Sequence, residues 1–238
     1  MEASEVIDAT GKALEARVVD ALGATAAEAY ADLAELRTLK GERTGYTRVW
    51  HGERLHKVSS MSIDIKPGMA RYFNLQITPA DNLRAPRFVF EGLVMGHASQ
   101  LSVDLYPDMD MVTNLEWLRT GYADVTAYYD DLRKNDMFTF GISKLLHMRT
   151  FCSPVFLLSS GLPIETVPAF EAIAGRYFDH WLTMFEQAQV GDAAETAARR
   201  ARRQLISDMT IALDPDRKMV TGVYGEEYTQ RIEAAAMY

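Results

Sequence analysis

The run Phe88-Val-Phe-Glu-Gly-Leu-Val-Met95 sets one carboxylic acid, Glu91, inside a stretch that otherwise has the composition of a strand buried on both faces. Burying an ionised carboxylate is costly unless a partner compensates, so Glu91 is either a salt-bridged or edge-strand glutamate or an acid kept for proton chemistry. Further along, Asp214-Pro-Asp216 places two carboxylates around a proline ahead of a short helical stretch, where Asp214 could serve as the N-cap. Arg199-Arg-Ala-Arg-Arg203 is the only dense basic cluster in a chain of net charge -8. Its spacing fits a solvated helix face, and it would also serve as a docking patch for an acidic partner. Cys152 lies in the apolar run from Phe151 to Leu158, where a thiol is expected to pack rather than attack. His51 and His56 flank a turn without a third ligand at metal-binding spacing, and His97 and His147 are lone histidines beside strand-like runs.

Composition narrows the chemistry. At 238 residues, 48% hydrophobic and 24% charged, the chain has the make-up of one soluble globular domain. The acidic balance disfavours nucleic acid and anionic membranes as general partners. A single cysteine excludes an internal disulfide and any multi-cysteine metal site. No apolar run approaches the roughly 18 residues of a spanning helix, and the N-terminus has neither signal-peptide nor transit-peptide character, so a cytoplasmic location is expected. The glycine fingerprints for dinucleotides and phosphates and the G-x-S-x-G nucleophile turn are missing, so a redox enzyme built on this chain would have to borrow its electrons.

The elements that must position these residues follow from periodicity. Residues 1–40 form a helical segment of one or two amphipathic helices broken near Gly23, with Leu14, Val18 and Leu22 and then Ala29, Leu33 and Leu36 at helical spacing. From 44 to 158 the pattern alternates. Five strands are expected, around Tyr46–Trp50, Met61–Ile65, Phe73–Ile77, Phe88–Met95 and Leu101–Leu105, with turns at His51–Arg54, Lys66–Gly68 and Gly96–Gln100. Connections this short require antiparallel neighbours. Residues 165–238 are mainly helical; Met111–Asn135 and Val167–Gln189 carry apolar stripes, and Ser153–Leu158 is extended between them. Helices before and after one antiparallel sheet predict a three-layer α/β/α sandwich formed by a single domain over 1–238.

Four stretches carry a resemblance. Phe88–Val94, Leu101-Ser-Val-Asp-Leu-Tyr-Pro107, Met148-Arg-Thr-Phe-Cys-Ser-Pro154 and Asp214-Pro-Asp-Arg-Lys-Met-Val with Val223-Tyr-Gly-Glu-Glu-Tyr228 together resemble red chlorophyll catabolite reductase and, more distantly, the ferredoxin-dependent bilin reductases. The similarity runs from about Thr44 to the C-terminus. It implies a sandwich whose sheet walls a pocket for an open-chain tetrapyrrole, no bound redox cofactor, and single electrons taken from reduced ferredoxin. Glu91 would then donate or position a proton, and Asp214, or Asp216 in the alternative register, would be the second pocket acid. Arg149 would hold a substrate propionate, and Ser153 would line the substrate site. A strand-embedded carboxylic acid is suited to protonating an electron-rich tetrapyrrole, while a loop aspartate can hold pyrrole N–H groups. Phycocyanobilin-forming relatives use a histidine on the preceding strand; none stands between Arg71 and Phe90, which favours the catabolite-reductase branch. The competing expectations are a non-catalytic tetrapyrrole carrier on the same fold and an interaction protein using its basic cluster. A homodimer is compatible with either.

Overall fold

The first helix, α1 (Ala3–Leu22), ends where Gly23 enters the left-handed region at φ 55°. There the Ala24 N–H reaches the Val19 carbonyl and the Gly23 N–H the Asp20 carbonyl, the paired bonds of a Schellman ending. The computed structural model describes residues 3–66, 70–96, 98–135, 138 and 140–238; the turn expected at Pro67 and Gly68 and the lone His97 lie outside them. The periodicity predicts one or two helices over residues 1–40, the later part carrying Ala29, Leu33 and Leu36. The chain instead forms a 3-10 segment (Glu28–Ala34), kinked at Tyr30 and flanked by the two-residue strands β1 (Thr25–Ala26) and β2 (Leu36–Arg37). Leu33 and Leu36 are both buried, and a spacing of three serves a 3-10 turn as well as an α-helix.

The five expected strands are present as β3 (Arg43–Gly52), β4 (Leu55–Lys66), β5 (Ala70–Pro79), β6 (Arg87–Met95) and β7 (Ala98–Tyr106). They form an antiparallel meander in sequence order, with β1 and β2 beside β3 and a further strand, β8 (Leu157–Pro163), beside β7. The expected strand around Cys152 is a turn that leads into β8, because Ser153 and Pro154 interrupt the apolar run.

Alternation divides the sheet into two faces. Phe73, Phe88, Phe90 and Val94 meet α1 and α4 (Val167–Glu186); of its expected stripe Phe170, Ile173, Tyr177 and Trp181 are buried and Met184 is half-buried, with Phe178 buried beside them. Two glycines allow α1 to lie close: a Cβ on Gly11 would strike the Phe73 ring, and one on Gly92 would strike Ile7. The stripe expected over Met111–Asn135 divides into α2 (Leu115–Gly121) and α3 (Ala123–Leu132), split at Tyr122, whose hydroxyl donates to the Leu105 carbonyl at 2.6 Å.

On the opposite face lie α5 (Ala193–Leu213), α6 (Arg217–Tyr224) and α7 (Glu226–Ala236). Ile206 of α5 packs with Val89, Tyr106 and Phe151, while Tyr224, Ile232 and Ala235 cover Val49 and Ile63. The C-terminal carbonyls of α7 are met from β4, by the Lys57 ammonium at Ala234 (2.9 Å) and the Ser59 hydroxyl at Ala236 (3.2 Å). The architecture is a three-layer α/β/α sandwich around an antiparallel sheet.

The arginine cluster is divided: Arg200 is exposed and holds Asp81, Arg202 is half-buried, and the other two turn inwards. Arg199 and Arg203 are buried: Arg203 pairs with Asp108 at 2.8 Å and Asp81 at 3.1 Å, and Arg199 donates to the Asp81 carbonyl at 2.7 Å. Arg87 joins from β6 at 2.9 Å from Asp108. Burial alone would raise the Asp108 carboxyl, but the Arg87 and Arg203 guanidiniums hold it below the usual carboxylate range. The cluster therefore fastens α5 to the sheet, and the docking role expected of it is withdrawn.

Candidate active site

Register puts Glu91 in a polar row across the middle of the sheet, opposite Asn74 on β5 and Ser102 on β7. The Tyr72 hydroxyl donates to Glu91 Oε1 at 2.8 Å and the Asn74 amide to the same oxygen at 3.0 Å, while the Ser102 hydroxyl reaches Oε2 at 3.3 Å. All three partners are neutral, and among the described residues Glu91 has no salt-bridge partner. Oε2, with one long contact, is the oxygen with capacity left for another molecule. Burial, followed by the charge and hydrogen bond of Glu91, raises the Tyr72 hydroxyl well above its ordinary value, so Tyr72 remains a donor through the neutral range.

Helices cover the two ends of this face and leave its centre half-open. Val89, Tyr106, Val49 and Ile63 are buried beneath α5 and α7, whereas Tyr72, Glu91 and Leu93 between them are only half-buried. This partly accessible centre, on β5 to β7, is the candidate site. Two surface clefts, of about 520 Å³ along α3 and α4 and about 430 Å³ between α1 and α4, lie on the opposite side of the sheet and share no residue with Glu91's surroundings.

Asp214 borders the same region. It is exposed at the C-terminal end of α5, and its charge contributes to raising Tyr72. It does not cap the helix after Pro215 as expected: Asp216 stands at the N-cap position of α6 without a side-chain cap bond, and Asp214 Oδ1 accepts the Asp216 N–H at 2.8 Å. This is an Asx turn, which fixes the Asp214 carboxylate just beyond α5. Asp216 is also exposed. Arg149, on the short 3-10 turn Met148–Thr150, is exposed and makes no ion pair among the described residues.

Ser153 departs from its expected place at the substrate. It is buried, and both its N–H and its hydroxyl are committed to Asp104, the N–H at 3.0 Å. Asp104 was not singled out from the sequence, although alternation along Leu101–Tyr106 puts it on Glu91's face beside Ser102. Full burial pushes its carboxyl up to about 6 against the opposing hydrogen bonds from Ser153 and the Leu105 N–H. Burial, then the charges of Asp104 and Glu91, push the Cys152 thiol far up, which keeps it protonated and unreactive. A raised acid favours folding while it is protonated. Its contribution is full below the unfolded value of 3.8 and is lost as pH climbs through about 6. Relative to Asp104→Asn, the wild type should lose about 3 kcal/mol of stability between about pH 4 and pH 7. Urea titrations of both proteins across that range check this, and parallel pH profiles would contradict it.

His51 Nδ1 lies 3.0 Å from the His56 carbonyl, and His56 stacks on Tyr238. Among the described residues no group of three His, Cys, Asp or Glu side chains is arranged to hold a metal ion. No described helix is long and apolar enough to cross a membrane.

The fold and site define a helix–sheet–helix sandwich with an acid at the centre of one sheet face. Among solved structures, this architecture matches phytochromobilin synthase from tomato, determined in complex with biliverdin, with a TM-score of 0.79 over 96% of this chain and 80% of that one. Identity over the match is 13%, so the likeness is one of fold. No protein-family model and no curated protein matches the sequence.

Proposed function

We propose that this protein reduces a linear tetrapyrrole, a red chlorophyll catabolite or a biliverdin-type bilin, with electrons delivered singly by reduced ferredoxin. The observation that carries the proposal is Glu91: a half-buried acid with three neutral hydrogen-bond partners and no cationic partner among the described residues, on the partly accessible centre of a sheet face, in the fold of a protein crystallised with biliverdin. A glutamate kept for structure would be expected to have a cationic partner, as Asp108 does.

Reducing one double bond consumes two electrons and two protons. Each electron added to the conjugated system raises its basicity, and Glu91 is placed to hand over a proton through Oε2 and be reprotonated from water. Tyr72 and Asn74 fix Oε1 and so orient the carboxyl. Asp214 receives pyrrole N–H groups, with Asp216 as the alternative, and Arg149 takes a propionate by charge-assisted hydrogen bonds. Ser153 acts through Asp104 rather than on the substrate.

Anaerobic incubation with biliverdin and reduced ferredoxin tests this reading. Bleaching or a displaced absorption maximum is expected. A bound bilin whose spectrum stays unchanged under reducing conditions would instead identify a carrier.

A further inference from the structure

With Arg199 and Arg203 buried and Arg200 held by Asp81, the site needs another place where an electron carrier can approach. Positions 137–164 contain no Asp or Glu, in a chain of net charge -8. Within them, Ile142 and Leu146 are 76% and 71% exposed, and Leu145 is exposed beside them. Lys144 and Arg149 are exposed and have no carboxylate partner among the described residues. Arg17, Arg48, Arg84, Arg200, Arg217 and Arg231 each hold a carboxylate, and the exposed Arg133 and Arg176, which hold none among the described residues, lie over the Tyr129 and Tyr128 rings.

The segment is anchored at both ends. The Gly141 N–H donates to the Leu158 carbonyl at 2.8 Å, and Met148 packs on Val89, Tyr106, Phe151 and Ile206. Cys152, whose thiol feels the charge of Glu91, is three residues beyond Arg149, a span of at most about 10 Å. Through Met148, packed in the cluster with Val89 two residues from Glu91 on β6, an exposed apolar patch with unpaired cations is held beside the candidate site.

We infer that residues 141–149 are the docking surface for an acidic one-electron carrier of the ferredoxin class, with Lys144 steering it and Ile142 and Leu146 seating it. The inference rests on the reductase reading. Opposite charge raises the encounter rate, and a small apolar centre gives the short-lived contact that electron transfer needs. In a two-fold pair of this chain joined patch to patch, Lys144 and Arg149 would face like charge.

The test compares two reductants on the full chain and its Lys144→Glu and Leu146→Ser variants: a reduced plant-type [2Fe–2S] ferredoxin, and reduced methyl viologen, which needs no docking surface. At low salt the KM for ferredoxin should rise about tenfold in Lys144→Glu, with the difference shrinking as ionic strength increases. Leu146→Ser should raise it at all salt concentrations, and viologen-driven rates should match the wild type in both. An unchanged ferredoxin KM in both variants would overturn the docking surface while viologen turnover still upheld the reductase. If the wild type reduces no tetrapyrrole with either donor, the reductase reading fails, and calorimetric ferredoxin binding then decides the surface. Binding weakened in Lys144→Glu supports it; no binding, or binding only to anionic phospholipid vesicles, rejects it.

Discussion

Glu91→Gln should bind biliverdin as the wild type does and reduce it about 100-fold more slowly or worse, the scale on which a positioned general acid contributes. Glutamine is isosteric and its carbonyl can still accept from Tyr72 and Asn74, while its amide turns towards the Ser102 hydroxyl, which can accept as readily as donate. The site therefore keeps its shape and loses only a transferable proton. Single-turnover absorbance after mixing with reduced ferredoxin separates binding from chemistry. A wild-type rate in this variant would end the role assigned to Glu91.

The second large effect is structural. Arg203→Met removes one of two guanidiniums from Asp108, with both side chains fully buried, and should destabilise the fold by about 3–5 kcal/mol, because a buried carboxylate is left half-compensated. Asp108 also has an unfavourable positive φ of 50°, which that network holds in place. Arg200→Ala, three residues away on the exposed side of α5, breaks its contact with Asp81 and should cost no more than about 1 kcal/mol. Urea midpoints at constant m-value measure both. Equal losses in the two variants would mean that the buried network does not anchor the helix.

These variants mark where sequence and structure part. The meander was legible because its strands alternate and its loops are too short for crossovers; the α4 stripe was legible because burial follows helical spacing. Glu91 stood out because a charge in an apolar strand is anomalous. Asp104 is equally anomalous, but its neighbour Ser102 and the proximity of Pro107 made that stretch resemble a strand end. The arginines misled because spacing along a helix describes only that helix. Their partners, Asp81 and Asp108, lie 95 residues or more away in the chain, and nothing local reveals them. The Ala29–Leu36 stretch misled for a different reason: two apolar residues three apart satisfy either helix type, and pairing with β3 decided between them.

Glu91 and its three hydrogen-bond donors all come from one continuous stretch, Tyr72 to Ser102, whereas Arg149 and Asp214 come from later loops and helices. The acid and its orientation are thus inherited as a unit within three adjacent strands, complete once those strands have zipped together. The groups assigned to gripping the substrate belong to parts of the chain that can change without disturbing that unit. On the proposed reading, a lineage built on this chain could exchange one open-chain pigment for another by editing its second half alone, with Glu91 and its hydrogen-bond donors carried forward intact.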